Sequence, residues 1–142
     1  MPANTQPIFS IKGEVQWSSL MNSANTGNVT GATSYLVFTA GTNGSFVQKI
    51  RFRHVPPSGN TNATVVRGWI NNGSDVTVLS NNTLFDEITM ANNTTFSQVA
   101  STPFYEIPLN FALPPDYRIY VTLGTAPTAG ANIQATVIGG DY

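Results

Sequence analysis

Short segments of alternating polarity recur about every ten residues along this chain, each bounded by a cluster of Gly, Asn or Pro, and this pattern constrains the fold more than any other feature. Side chains of a strand point alternately to its two faces, so alternation marks segments with one face against a core and one in water. Ile8 to Trp17 puts Phe9, Ile11, Gly13, Val15 and Trp17 on one face and Ser10, Lys12, Glu14 and Gln16 on the other, which reads as a half-buried strand with its apolar side inward. Further strands are predicted at Ser34 to Ala40, Ser45 to Val55, Asn62 to Ile70, Val76 to Leu79, Thr83 to Met90, Thr94 to Ala100, Tyr105 to Phe111, Tyr117 to Leu123 and Ala131 to Ile138. Gly41-Thr42-Asn43-Gly44 and Asn71-Asn72-Gly73 supply turns, and Pro108 marks an edge strand or a bulge because proline has no N–H to give to a ladder. Residues 1–7, with two prolines and no periodicity, read as an N-terminal arm preceding a single domain over 8–142. Eight to ten short strands in 142 residues predict an all-β fold, an antiparallel β-sandwich of jelly-roll type.

Composition removes most catalytic chemistry. Only 9% of residues are charged, there is no cysteine, and His54 is the single histidine. Zinc and iron sites need several converging His, Cys or carboxylate ligands, so no metal or other cofactor is expected. Asp86 and Glu87 are adjacent and point to opposite faces of a strand, so they form no acid/base pair, and no Gly-x-Ser-x-Gly elbow is present. The chain is therefore expected not to be an enzyme. His54, just before Pro56-Pro57, reads as a structural residue that caps a loop. Asn71-Asn72-Gly73-Ser74-Asp75 has the oxygens of a calcium loop but only one formal charge, and it reads as a turn, which needs the same Asn-Gly pair.

A net charge of −1 argues against partners held by bulk electrostatics, so neither nucleic acid nor a membrane surface is expected. No stretch approaches the roughly 18 apolar residues of a membrane span, and the N-terminus has no basic and hydrophobic secretory leader, which points to synthesis in a cytoplasm. Neutral Ser, Thr and Asn lose less rotamer freedom on burial than Lys or Glu, and such a surface suits permanent assembly.

The few charges are clustered. Lys49, Arg51 and Arg53 share one face of a predicted strand, opposite Phe46, Ile50 and Phe52, and hold half the basic residues of the chain. By the same parity Arg67 and Trp69 share an outward face, and tryptophan beside arginine is the pair most enriched at interface hot spots, unless the N-terminal arm or a loop of the same chain covers the ring. Lys49, Arg51, Arg53, Arg67 and Trp69 are therefore the candidate partner-binding residues, read as one basic, aromatic-centred patch.

Several strings carry a resemblance: Lys49-Ile50-Arg51-Phe52-Arg53, Val65-Val66-Arg67-Gly68-Trp69-Ile70-Asn71-Asn72-Gly73, Pro108-Leu109-Asn110-Phe111-Ala112-Leu113-Pro114-Pro115, Tyr120-Val121-Thr122-Leu123-Gly124-Thr125 and Gly139-Gly140-Asp141-Tyr142. Over residues 45–142 the chain resembles small β-sandwich virion proteins of tailed bacteriophages, of the capsid decoration or cement type. The resemblance implies a homotrimer on the capsid exterior, bound to the major capsid protein and stabilising the shell. Similar sandwiches serve in head fibres or tails, which gives the alternative of a receptor- or carbohydrate-binding module that stacks sugars on Trp17, Tyr105 or Tyr120.

Overall fold

The computed structural model describes residues 10–25, 27–30, 33–55, 61–93 and 99–142. The predicted N-terminal arm and most of the predicted Thr94 to Ala100 strand lie outside these residues. Among the described residues eight strands form: β1 Lys12–Trp17, β2 Tyr35–Thr39, β3 Ser45–Val55, β4 Thr64–Asn71, β5 Asn82–Met90, β6 Phe104–Leu113, β7 Arg118–Leu123 and β8 Asn132–Asp141. The predicted strand at Val76 to Leu79 is absent. That segment bends into a 3-10 turn at Leu79–Asn81, where the side chains of Asn81 and Asn82 donate to the carbonyls of Asp75, Val76 and Val78. Four consecutive apolar or β-branched residues are too few to hold a strand against such local hydrogen bonding.

The strands make two four-stranded antiparallel sheets, β1-β8-β3-β6 (sheet A) and β2-β7-β4-β5 (sheet B). The pairing has a simple rule: first strand with last, second with seventh, third with sixth, fourth with fifth. The chain is one long hairpin with its tip at β4–β5, rolled so that β3 also meets β8 and β4 also meets β7. That is a jelly roll. Its core lies between the sheets, built from alternate residues such as Ile50 and Phe52 of β3, Val66 of β4, Ile107 of β6, Ile119, Val121 and Leu123 of β7, and Ile133, Ala135 and Val137 of β8.

Each edge of the sandwich is blunted. Between β1 and β2 the Gln16 side chain donates to the Thr39 carbonyl (3.0 Å) and accepts from the Thr39 N–H (2.9 Å), standing in for a neighbouring strand. On the other side Phe85 of β5 packs on Phe111 of β6, ring centroids 5.0 Å apart. Pro108 lies on edge strand β6 where the β3–β6 register slips, so both roles foreseen for this proline are realised. Two residues past it Asn110 takes a positive φ of 54°.

The same slip corrects the parity of β3. The register shifts between Val47 and Lys49, so Val47 faces the core and Phe46 does not, the reverse of simple alternation. An extra residue, here Gln48, turns every side chain before it to the other face.

Strand β1 is the larger correction. Val15 lies opposite Ile138 and Trp17 opposite Thr136, both outward positions of β8, while Gln16 lies opposite core residue Val137. The apolar side of β1 is thus its outer side, and Ile11, Val15 and Trp17 are all exposed. Gln16 turns inward because its amide serves the edge of β2, a requirement that alternation cannot encode.

Candidate functional site: the outer face of sheet A

On the side away from the core, sheet A displays a row that crosses all four strands, Trp17–Thr136–Arg51–Glu106. Beside it runs a second row, Val15–Ile138–Lys49–Pro108, and beyond the first lie Gln134, Arg53 and Phe104. With strands about 4.8 Å apart, Trp17 and Arg51 stand roughly 10 Å from each other across β8. The basic stripe therefore does share a face with an exposed tryptophan, and that tryptophan is Trp17, which is 63% exposed.

The three cations of β3 are held in place by β6 and the segment before it. Arg51 donates from Nε and Nη2 to Oε1 of Glu106, at 2.7 and 2.6 Å, and Lys49 Nζ reaches the same oxygen at 3.1 Å. Hydrogen bonds from Arg51 first, then Lys49, hold the Glu106 carboxyl below the usual carboxylate range. The Arg51 guanidinium also lies 4.7 Å from the centroid of the Phe104 ring, an exposed aromatic face of the kind that attracts cations. Arg53 donates from Nη2 to the carbonyl and hydroxyl of Thr102. Three cations meet one carboxylate, so the stripe keeps an excess of two positive charges on fixed side chains. Where the register slips, Gln48, Lys49, Glu106, Pro108 and Asn110 line a shallow depression of about 400 Å³.

Arg67 and Trp69 are elsewhere. Both point outward from β4, as parity predicts, but β4 belongs to sheet B, so they occupy the opposite outer face of the sandwich from Lys49, Arg51 and Arg53. The single patch expected from the sequence is two separate groups. Trp69 is also covered. The connection from β1 to β2 pairs Met21 with Ile133, bonds Asn25 N–H to the Leu123 carbonyl at the end of β7, and then lays Val29 over Trp69 and Tyr120, with Val76 alongside. The indole N–H donates to the hydroxyl of Thr122 at 3.0 Å. Arg67 pairs through Nε with Glu87 at 2.9 Å, and neither Arg67 nor Trp69 belongs to the exposed face of sheet A.

Of the aromatics considered for sugar stacking, Tyr120 is buried under Val29, and Tyr105 packs against the core with its hydroxyl accepting from the Ala91 N–H. Trp17 alone of the three is exposed. His54 is buried and faces the core, where its Nε2 bonds the Ala91 carbonyl at 3.1 Å, and the Pro56-Pro57 loop it was expected to cap lies outside the described residues. In the Asn71–Asp75 turn, Asn71 Oδ1 accepts from Gly73 N–H and Asp75 Oδ1 from Thr77, while Gly73 has a φ of 87°. The Oδ1 atoms of Asn71, Asn72 and Asp75 thus each accept a hydrogen bond within or next to the turn.

Sequence reasoning missed Trp17, Phe104 and Glu106 as members of the site. Glu106 lies within the predicted Tyr105 to Phe111 strand and Phe104 just before it, but only the β3–β6 register sets them beside Arg51 and Arg53.

No protein-family model and no curated protein matches the chain. Among solved structures, a chain of the capsid asymmetric unit of cyanophage Pam1 is similar over the whole length of both chains, at 15% sequence identity and a TM-score of 0.41.

Proposed function

We propose that this chain is a non-catalytic virion protein of a tailed bacteriophage, a decoration or cement protein that seats the basic half of sheet A on an acidic surface of the major capsid protein. The observation that carries the reading is the preorganised stripe of Lys49, Arg51 and Arg53 beside exposed Phe104, in a chain whose net charge is only −1. Arginine and aromatic residues dominate interface hot spots, and cations already held by Glu106 and Thr102 lose little side-chain entropy on docking. Two further features support it. The jelly roll is an architecture common in viral capsid domains, though a fold alone does not fix a role. A surface of small neutral polar groups suits permanent packing on a shell.

The test is co-sedimentation with purified shells of the phage that encodes the protein. The wild type is expected to pellet at a fixed ratio to the shell subunit, and reversing the charge at Arg51 or Arg53 to Glu to weaken binding by about 30-fold or more, as hot-spot losses do. Arg67→Gln, on the opposite face, is expected to bind normally. Absence of the protein from purified virions, or equal binding by all three variants, overturns the reading.

Exposed Trp17 favours a second reading, a carbohydrate-binding module of a head or tail fibre. Its ring stands beside Thr136, with Gln134 further along the same face, an apolar plane flanked by hydrogen-bonding groups. Glycan-array binding lost in Trp17→Ala but kept in Arg53→Glu would favour it over shell docking.

A further inference from the structure

We propose that the seam between β1 and β2 is a contact between copies of this chain, separate from the basic half of sheet A. Ile11 (83% exposed), Val15 (53%) and Trp17 (63%) on β1 and the residue before it form one apolar strip with Leu36 (45%) of β2. Val15, Gln16, Trp17, Leu36 and Val37 line a groove of about 320 Å³ along the seam. Together the strip presents on the order of 500 Å² of apolar surface, at the upper end of what ordinary monomers leave in water. It would supply more than half of the roughly 800 Å² that each partner buries in a stable interface.

The area of the strip and its uncharged side chains point to a second copy as the occupant. Ile11, Val15, Trp17 and Leu36 carry no charge of their own, and beside them Lys12 is bonded to Glu14 at 3.0 Å and lies opposite Asp141, so charges of both signs flank the strip where a second copy would meet it. The other candidate surfaces fail this condition. The stripe of Lys49, Arg51 and Arg53 has a positive excess and would repel its copy, and the exposed Leu84 and Phe85 on β5 sit directly before Asp86, with Glu87 already paired to Arg67. Strand addition is not the mode of contact at this seam, because the Gln16 amide already occupies both backbone groups of Thr39. The contact is made by side chains, with Trp17 as its largest anchor.

The experiment is the mass of the full chain in solution by sedimentation and light scattering, up to about 100 μM, where even micromolar contacts are populated. The wild type is expected as a discrete multimer, and Val15→Glu and Trp17→Ser as monomers of 15.2 kDa with wild-type melting temperatures, since both residues are exposed. Arg51→Glu is expected to stay multimeric, which separates this contact from shell docking. A dimer implies a two-fold contact and a trimer a closed head-to-tail ring, and both support the proposal. A monomeric wild type, or a multimer indifferent to both seam variants, overturns it. So does a monomer in which deleting residues 2–9 red-shifts the Trp17 fluorescence, because the chain's own N-terminal segment then fills the groove.

Discussion

Replacing Trp69 by alanine tests whether this side chain holds the fold or meets a partner. The indole is only 8% exposed, sandwiched between sheet B and Val29, and removing a buried aromatic of this kind costs about 3 to 5 kcal/mol. Domains have about 5 to 15 kcal/mol in all, so much of the stability depends on this ring. At about 3 °C per kcal/mol for a chain of this size, the melting midpoint is expected to fall by roughly 10 to 15 °C. A second term can be separated by a cycle. Trp69→Phe keeps most of the apolar contact but leaves the fully buried Thr122 hydroxyl without its donor, and Thr122→Val leaves the indole N–H without its acceptor. Each orphaned group costs about 1 to 3 kcal/mol. The double variant orphans neither, so it is expected to be more stable than the sum of the two losses by about 1 kcal/mol or more. Urea and thermal unfolding followed by circular dichroism read all five proteins, the wild type and four variants. A Trp69→Ala protein that melts like the wild type, or a cycle that is strictly additive, refutes the argument. Loss of shell binding at unchanged stability would return Trp69 to the partner surface.

Two further predictions concern His54 and Gly139. Burial pushes the His54 imidazole below its ordinary value of 6.5, opposed in part by the hydrogen bond to Ala91, and Nδ1 has no partner among the described residues. The unfolded chain therefore takes up a proton near pH 6.5 that the folded one refuses, so stability is complete above that pH and falls as the pH drops toward the folded value, by up to about 1.4 kcal/mol per unit. Urea midpoints at pH 7.5 and 5.5 should show this fall in the wild type and lose most of it in His54→Gln; equal slopes would disprove it. At Gly139 a Cβ would come within 2.3 Å of the Phe46 carbonyl oxygen, in the middle of sheet A, whereas at Gly13 nothing lies within 4 Å. Gly139→Ala is expected to lose about 3 kcal/mol or more, since rigid backbone must move to admit the methyl group, and Gly13→Ala to change stability by less than about 0.5 kcal/mol. Similar unfolding of the two variants would refute this.

The strands were legible where alternation meets a covering layer on one side only. β3 runs over the predicted residues, and the inward sets of β7 and β8, Ile119, Val121 and Leu123 and then Ile133, Ala135 and Val137, are those the pattern names. Alternation divides a strand into two faces without saying which one the molecule covers. On β1 it pointed the wrong way, because an edge strand that lends Gln16 to its neighbour can leave its apolar side in water. On β4 it placed Trp69 outward correctly, yet only the path of the β1–β2 connection decides that Val29 covers the ring. Bulges are the other blind spot. One unpaired residue at Gln48 moved Phe46 out of the core, and nothing in Ser45 to Val55 announces the slip, although Pro108 across the ladder hints at it. The site suffered the same limits: the basic stripe was visible within one strand, but its membership in sheet A rather than sheet B is long-range information, and with it went the assignment of the neighbouring tryptophan.

The place of β8 in sheet A has a consequence for biosynthesis. This strand lies between β1 and β3, so until residues 132–141 leave the ribosome the sheet exists only as a β3–β6 ladder and an unattached β1. At about 5 to 20 residues per second the first strand waits many seconds for its partner, with Ile50 and Phe52 only half covered in the meantime. Pairings between such distant parts of a chain form slowly, and exposed half-sheets invite sticking. The nascent chain thus has its most vulnerable interval before β8 emerges, and the placement of Lys49, Arg51 and Arg53 on β3, inside the sheet, keeps that interval flanked by charge. Sheet A is complete only once β8 has emerged, and the face that would bind a partner is finished with it.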